Sequence, residues 1–179
     1  MAEDTAPTDF ACLLPTNLRS IVEGWVNDDM PSFDVGGLVV GDDVKKAQLW
    51  MKSSGVFAGK PFFKQVFDSL GCEVEWNESL AVEGLYYKDI SMSGEKICLA
   101  TVTGPVHMIL RGERTALNSI SRCSGVATLS REAGDRAKSL GWNGWVAGTR
   151  KTTPGFRIVE KYGAFLLSVV QQSRTGNDF

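Results

Sequence analysis

Apolar residues recur at helical spacing in two stretches of the first hundred residues, and each stretch predicts an amphipathic helix. The first helix follows Thr16, a predicted N-cap, and ends before Pro31. Its apolar face consists of Leu18, Ile21, Val22, Trp25 and Val26. The second helix begins at Pro61 and stops at Gly71. Its apolar face consists of Phe62, Phe63, Val66, Phe67 and Leu70.

Shorter apolar runs between and after these helices predict β-strands. They are Gly36–Val40, Lys46–Lys52, Cys72–Trp76, Ile97–Val102 and a weaker run at Leu85–Lys88. Strands interleaved with helices at these spacings predict an α+β fold. We therefore expect residues 1–104 to form an N-terminal α/β sandwich, in which helices cover a mostly antiparallel sheet.

The pattern changes at about Pro105, where helix formers dominate. Residues 105–142 predict a linking segment of two amphipathic helices, separated by the small residues Ser124 and Gly125. Residues 143–163 then read as a buried strand, Trp145–Thr149, and a helix that starts near Pro154. This order is that of the first strand-helix unit of an α/β barrel, here an incomplete one. Because a parallel strand needs a parallel neighbour, residues 145–162 are expected to be poorly ordered or to need a partner.

Composition and charge narrow the classes of function. The formal net charge of −2 argues against nucleic-acid and membrane-surface binding, since both need a basic surface. Four separated cysteines without a CxxC pair, and one histidine, fit no usual zinc pattern and predict reduced core thiols. The acidic first residues match neither a secretory nor a mitochondrial leader, and no apolar run is long enough to span a bilayer. A cytoplasmic protein is the resulting expectation.

The loop after the predicted strand carries the main candidate chemistry. Thr149, Arg150, Lys151 and Thr152 follow the strand and precede a helix N-terminus. Ligand sites of α/β folds lie at the carboxyl ends of parallel strands, and adjacent cations beside a helix start suit a carboxylate or phosphate. The same residues are equally compatible with a solvated loop. The lysine follows no GxxxxG frame, so a P-loop is not predicted.

Two residues of the helical segment are further candidates. Arg114, in the run Arg111-Gly-Glu-Arg114, reads either as an anion ligand or as a surface arginine paired with an acid. His107 has no acid, cysteine or second histidine at a ligand or triad spacing, so packing is its predicted role. The sequence contains no Ser/His/Asp or Cys/His arrangement that predicts a protein nucleophile.

Two segments resemble the signature segments of the quinolinate phosphoribosyltransferases, also called nicotinate-nucleotide pyrophosphorylases (carboxylating). They are GERTALNSISRCSG and AGTRKTTPGFRIVEKYG, and the resemblance extends upstream through SSGVFAGKPFF and GCEVEW. It implies an enzyme of NAD synthesis that uses quinolinate, phosphoribosyl pyrophosphate and Mg²⁺. The products are nicotinate mononucleotide, pyrophosphate and carbon dioxide.

The resemblance also implies how the site is assembled. Subunits form dimers, in which the sandwich of one helps to close the barrel site of the other. Arg114 is expected to reach one quinolinate carboxylate across that interface. Thr149, Arg150, Lys151 and Thr152 are expected to hold the second carboxylate and to meet phosphoribosyl pyrophosphate.

Residues 164–179 read as a divergent tail without the glycines, His-Arg pair, lysine and metal-binding acids of the family. Without them the catalytic set is incomplete, and we expect no turnover from this chain alone. A splice variant, a frameshift or a misread exon boundary would account for such a tail. Two alternatives stay open. One is a non-catalytic form that pairs with full-length subunits, and the other is a transferase for a different anionic ring.

Overall fold

The computed structural model describes residues 10–88, 90, 96–142, 144 and 146–173, with side chains up to residue 166. A short 3₁₀ helix, Phe10–Leu13, precedes five α-helices and five strands among these residues. The helices are α1 Leu18–Asp29, α2 Val35–Val40, α3 Lys60–Ser69, α4 Val106–Ser139 and α5 Arg157–Ser173. The strands are β1 Val44–Met51, β2 Gly55–Val56, β3 Glu73–Trp76, β4 Tyr86–Tyr87 and β5 Ile97–Pro105.

The predicted sheet is present and antiparallel. Strand β5 lies between β1 and β3, and a second, two-stranded sheet pairs β2 with β4. Inward residues of β5, such as Leu99 and Val102, pack against the apolar faces of α1, α3 and the first half of α4. The α+β class and the helix-covered sandwich are therefore confirmed, as are the two helices predicted from apolar spacing.

The run Gly36–Val40 was predicted as a strand, and that prediction is wrong because these residues belong to helix α2. Asp34 caps this helix, and its carboxylate accepts a hydrogen bond from the Gly37 amide at 2.6 Å. Gly41 ends it with a φ of 77°, which favours glycine. The side chains of Leu38 and Val39 are 84% and 81% exposed, so the apolar run marks a surface and not a buried strand.

The expected break between two helices at Ser124 and Gly125 is also wrong. Helix α4 is continuous over 34 residues, about 50 Å at the usual rise per residue. Small residues at its centre allow strand β2 to approach closely. The Ser124 hydroxyl accepts from the Ala58 amide at 3.1 Å and donates to the Ala58 carbonyl at 2.9 Å, while Thr128 Oγ1 accepts from the Val56 amide. Tertiary contacts thus outweigh the low helix propensity of glycine.

Residues 146–149 form no strand in the described part of the chain, where these four exposed residues have no strand neighbour to pair with. Trp145, the first residue of the predicted strand, lies outside the described residues. The predicted helix after Pro154 is confirmed as α5. Against expectation, α5 finds its packing within the chain, because Val159, Tyr162 and Leu166 are buried against β2, α3 and α4 in a second core.

The four cysteines form no disulfide in the structure, and not all of them lie in the core. Cys72 and Cys123 are buried, Cys98 is half-buried and Cys12 is exposed. His107 makes a structural contact, with Nδ1 3.0 Å from the carbonyl oxygen of Gly41 at the end of α2. Within the described residues, no helix has the length and apolar character needed to cross a membrane.

Candidate functional site

The loop of residues 149–153 is held by side chains of helix α5, which follows it. Lys161 Nζ donates to the carbonyl of Thr149 at 2.6 Å, and Arg157 Nη1 makes a longer contact, 3.4 Å, with the carbonyl of Arg150. The Thr149 hydroxyl accepts from the amide of Lys151 at 3.1 Å. These contacts engage the loop backbone, while the side chains of Arg150 and Lys151 remain exposed and Thr152 is half-buried.

Glu160 closes the other end of this loop. Its carboxylate accepts from the amide and the hydroxyl of Thr153 at 3.1 and 2.7 Å. These hydrogen bonds, with a smaller contribution from the charge of Arg122, hold the pKa of Glu160 below its ordinary value. Arg122 Nη1 lies 3.8 Å from Glu160 Oε1 and connects the start of α5 to the middle of α4. An ionised Glu160 therefore fixes the loop without neutralising Arg150 or Lys151.

A half-buried carboxylate, Glu83, joins α5 to the sandwich. Oε1 accepts from the backbone amides of Gly59 and Lys60 at 2.5 and 2.8 Å, so Glu83 caps α3 from a distant loop. Oε2 accepts from the Tyr162 hydroxyl at 2.5 Å. Burial raises the pKa of Glu83 above its ordinary value, and the hydrogen bonds from Tyr162, Lys60 and Gly59 oppose that rise.

Arg114 lies on a different part of α4 from the loop contacts. Its Nη1 is 3.0 Å from Oδ1 of Asp29 at the end of α1, and its side chain is 72% exposed. Among the described residues the structure brings Thr149–Thr152 together with α5, but it does not bring Arg114 to them. Any joint action of Arg114 and the loop on one ligand would require two chains.

A cleft of about 1110 Å³ begins beside the loop and runs along α4. One wall is the segment Leu49–Phe57, and the other is the face of α4 from Leu117 to Leu129, with Thr153 and Phe156 at the α5 end. Lys52 and Arg122 are the cations that line it. This volume slightly exceeds the range of about 300–1,000 Å³ that is usual for small-molecule sites.

The described residues do not fit a magnesium site. They contain no group of three or more His, Cys, Asp or Glu side chains placed to share an ion. The carboxylate next to the loop, Glu160, is already engaged with Thr153, and Glu83 is engaged with Tyr162. No step of the chemistry is therefore assigned to a metal held by these residues.

Comparisons with known proteins identify the family. The N-terminal domain of the quinolinate phosphoribosyl transferases matches residues 34–124, and the C-terminal domain of the same family matches residues 126–176. The fold and these matches together place the chain in a class of proteins named for phosphoribosyl transfer. The chain belongs to the quinolinate phosphoribosyltransferase family. The second match continues past Gly163, where the resemblance seen in the sequence ended.

Individual relatives agree with this assignment. The nicotinate-nucleotide pyrophosphorylase (carboxylating) of Homo sapiens is 45% identical over 151 residues, which cover 84% of this chain and 48% of that protein. The probable nicotinate-nucleotide pyrophosphorylase (carboxylating) of Bacillus subtilis (strain 168) is 36% identical over 151 residues. These residues cover 81% of this chain and 47% of that protein. The chain thus spans about half the length of the curated relatives it matches.

Solved structures show the same fold. The crystal structure of NadC from Streptococcus pyogenes superposes with a TM-score of 0.72 and 27% identity. The superposition covers 89% of this chain and 53% of that one. The expected family and fold are confirmed, while the division at residues 104, 142 and 163 stays a prediction.

Sequence reasoning did not find Glu83, Glu160, Arg122 or the cleft. Glu160 carries a weak signal, because it lies in the first turn of α5, seven residues after Thr153 in the loop that precedes the helix. Glu83 carries none, since its partners Gly59 and Tyr162 lie 24 and 79 residues away.

Proposed function

We propose that this chain forms part of an enzyme that transfers the phosphoribosyl group of phosphoribosyl pyrophosphate to quinolinate. The products are nicotinate mononucleotide, pyrophosphate and carbon dioxide. The observation that carries the proposal is the loop of residues 149–153, in which α5 holds the backbone and leaves Arg150 and Lys151 exposed. Membership of the family supplies the reaction for which such a loop is suited.

The chemistry of quinolinate explains these residue types. The ring carries two adjacent carboxylates, and its nitrogen must meet the anomeric carbon of the sugar as pyrophosphate leaves. Arg150 offers a planar pair of N–H donors that matches one carboxylate, and Lys151 offers a compact charge to the same anion or to a phosphate. Holding both anions in register provides proximity and charge stabilisation, so no protein nucleophile is required. Loss of carbon dioxide follows more easily once the ring nitrogen is positively charged.

We further propose that the site is completed by a second copy of the chain, which contributes Arg114. The apolar surface at α2 supports this pairing. Phe33, which precedes α2, is 94% exposed, and Leu38 and Val39 on α2 are nearly as open. Helix α2 packs against α4 near His107. Exposed apolar patches of this kind mark protein contacts. Since α4 also carries Arg114, pairing through this face would bring that arginine to the edge of a partner.

Quinolinate binding tests the proposal directly. Quinolinate titrated into the 179-residue chain should shift the backbone amide signals of residues 149–153, and nicotinate, with one carboxylate fewer, should bind more weakly. Arg150→Ala is expected to weaken binding by roughly tenfold or more, the effect of losing a charged hydrogen bond. Lys64→Ala removes a cation that pairs with Asp68 on α3 and serves as the charge-matched control. Equal affinities of the two variants would refute the assignment of the loop.

Turnover, magnesium dependence and location are separate proposals. Turnover is measured as nicotinate mononucleotide formed from quinolinate and phosphoribosyl pyrophosphate, with and without Mg²⁺. We expect none from these 179 residues, which span about half the length of the curated relatives, and product formation by the purified chain would contradict that. A cytoplasmic location remains an expectation from the sequence, which imaging of a tagged chain in its own cells would test.

A further inference from the structure

Four consecutive residues of α5 face in two directions. Glu160 and Lys161 hold the loop, through Thr153 and the carbonyl of Thr149. Tyr162 and Gly163 hold the helix on the rest of the protein, because the Tyr162 ring packs edge-on against Phe62, with centroids 5.3 Å apart, and Gly163 is buried against α4. Any shift of α5 against the sandwich must therefore move the loop as well.

The Tyr162 hydroxyl adds a directional contact to this packing. It donates to Glu83, whose other oxygen caps α3 through the amides of Gly59 and Lys60. Glu83 lies in the part of the chain matched by the N-terminal family domain and Tyr162 in the part matched by the C-terminal one. A hydrogen bond to a charged acceptor is among the stronger single contacts in proteins.

We propose that Glu83 is a positioning residue for the anion-binding loop. Through Tyr162, Glu83 fixes the rotation of α5 about its axis and its position along that axis relative to the sandwich. Lys161 and Glu160 on α5 then fix residues 149–153. This inference rests on the proposed function for the role of the loop in binding. The mechanical link itself stands on the contacts alone and can be tested without a ligand.

Three groups from three elements face the Glu83 carboxylate. Lys60 belongs to α3, Tyr162 to α5, and the buried thiol of Cys123 to α4. Burial raises the pKa of Cys123 well above its ordinary value, and the charge of Glu83 raises it further, so the thiol stays protonated. Since the Tyr162 hydroxyl lowers the pKa of Glu83, its removal should raise that pKa. This shift reports the bond independently of overall stability.

Amide hydrogen exchange in the 179-residue chain, followed by NMR, provides the test. Tyr162→Phe keeps the ring on Phe62 and removes only the hydroxyl. The matched control is Tyr87→Phe, which removes another buried tyrosine hydroxyl, one that donates to the carbonyl of Leu80 away from α5. Exchange of the Lys151 and Thr153 amides is measured relative to amides in the middle of α4, so that global loosening cancels.

In Tyr162→Phe, the relative exchange of the loop amides should rise roughly tenfold or more, with a raised pKa of Glu83, and Tyr87→Phe should change neither. Glu83→Ala should match Tyr162→Phe, whereas Glu83→Gln should largely restore the loop, because its amide can both accept from α3 and donate to the tyrosine oxygen. Loop exchange in Tyr162→Phe equal to that in Tyr87→Phe would overturn the inference. Failure of the unmodified chain to bind quinolinate would overturn the proposed function and leave the exchange result to decide the link.

Discussion

Replacing Gly163 with alanine probes how tightly α5 is seated on α4. A Cβ at this position would lie 2.5 Å from the carbonyl oxygen of Cys123 and 3.4 Å from the amide nitrogen of Ala127. Real Cβ contacts are not found below 3.0 Å, and the atom it meets is helix backbone, which does not move aside alone. The whole helix has to shift.

The magnitude follows from two opposing effects. Overpacking of this kind costs about 1–3 kcal/mol. Alanine is favoured over glycine inside a helix by about 1 kcal/mol, which offsets part of that cost. Gly125→Ala is the matched control, because Gly125 is also inside a helix but a Cβ added to it would meet no atom within 4 Å. The control should therefore gain about 0.5–1 kcal/mol.

The difference between the two variants isolates the contact. It should be about 1–3 kcal/mol, or about 2–12 °C in melting temperature for a protein of this size. Thermal and urea unfolding followed by far-ultraviolet circular dichroism measure it. Equal stabilisation of the two variants would show that α5 is not held against α4 at this point, and the reasoning about its seating would be wrong.

Three other predictions concern stability. Ser124→Ala should cost about 1–3 kcal/mol in urea unfolding, because the buried amide and carbonyl of Ala58 both lose their partner; a change below about 0.5 kcal/mol, usual for surface substitutions, would contradict this. Arg114→Ala should change stability by less than about 1 kcal/mol, because its ion pair with Asp29 is largely exposed, and a larger loss would indicate a structural role. The pKa of Glu83 is higher in the folded chain than in the unfolded chain, so protonation of Glu83 stabilises the fold. This stabilisation is fully present at a pH below the ordinary glutamate pKa and is lost as the pH rises through the pKa of the folded state. In Glu83→Gln, the free energy of unfolding should fall less as the pH rises through this range. An unchanged pH profile would show that Glu83 does not cause the fall.

The sandwich could be predicted from the sequence in those elements where burial of one face sets the spacing of apolar residues. The buried face of α3 can be read directly from the sequence, because its apolar residues recur at helical spacing and a surface helix buries its apolar face. These residues are Phe62, Phe63, Val66 and Phe67. The same reasoning failed for Gly36–Val40, since an apolar run is also compatible with a short capped helix on the surface. Apolar periodicity indicates which side chains favour burial, but it does not show whether another part of the same chain buries them.

The candidate site was predictable only in its local part. Arg150 and Lys151 stand together in the sequence, ahead of a helix, so the loop and its charge could be inferred. The groups that hold the loop come from a later turn of the helix and from the sandwich, and no local pattern connects Glu83 to Tyr162. The family resemblance supplied the reaction but not this contact.

The length of α4 has a consequence for how the protein can be divided. The two family domains match residues on either side of position 125, yet that position lies inside one unbroken helix whose residues Cys123 and Ala127 belong to the same core. A fragment ending at residue 124 would end mid-helix, lose the α5 residues that cover Val56 and Phe62, and leave Glu83 without its phenol partner. The two matched segments therefore share one core, and a fragment that holds only one of them would lack part of that core.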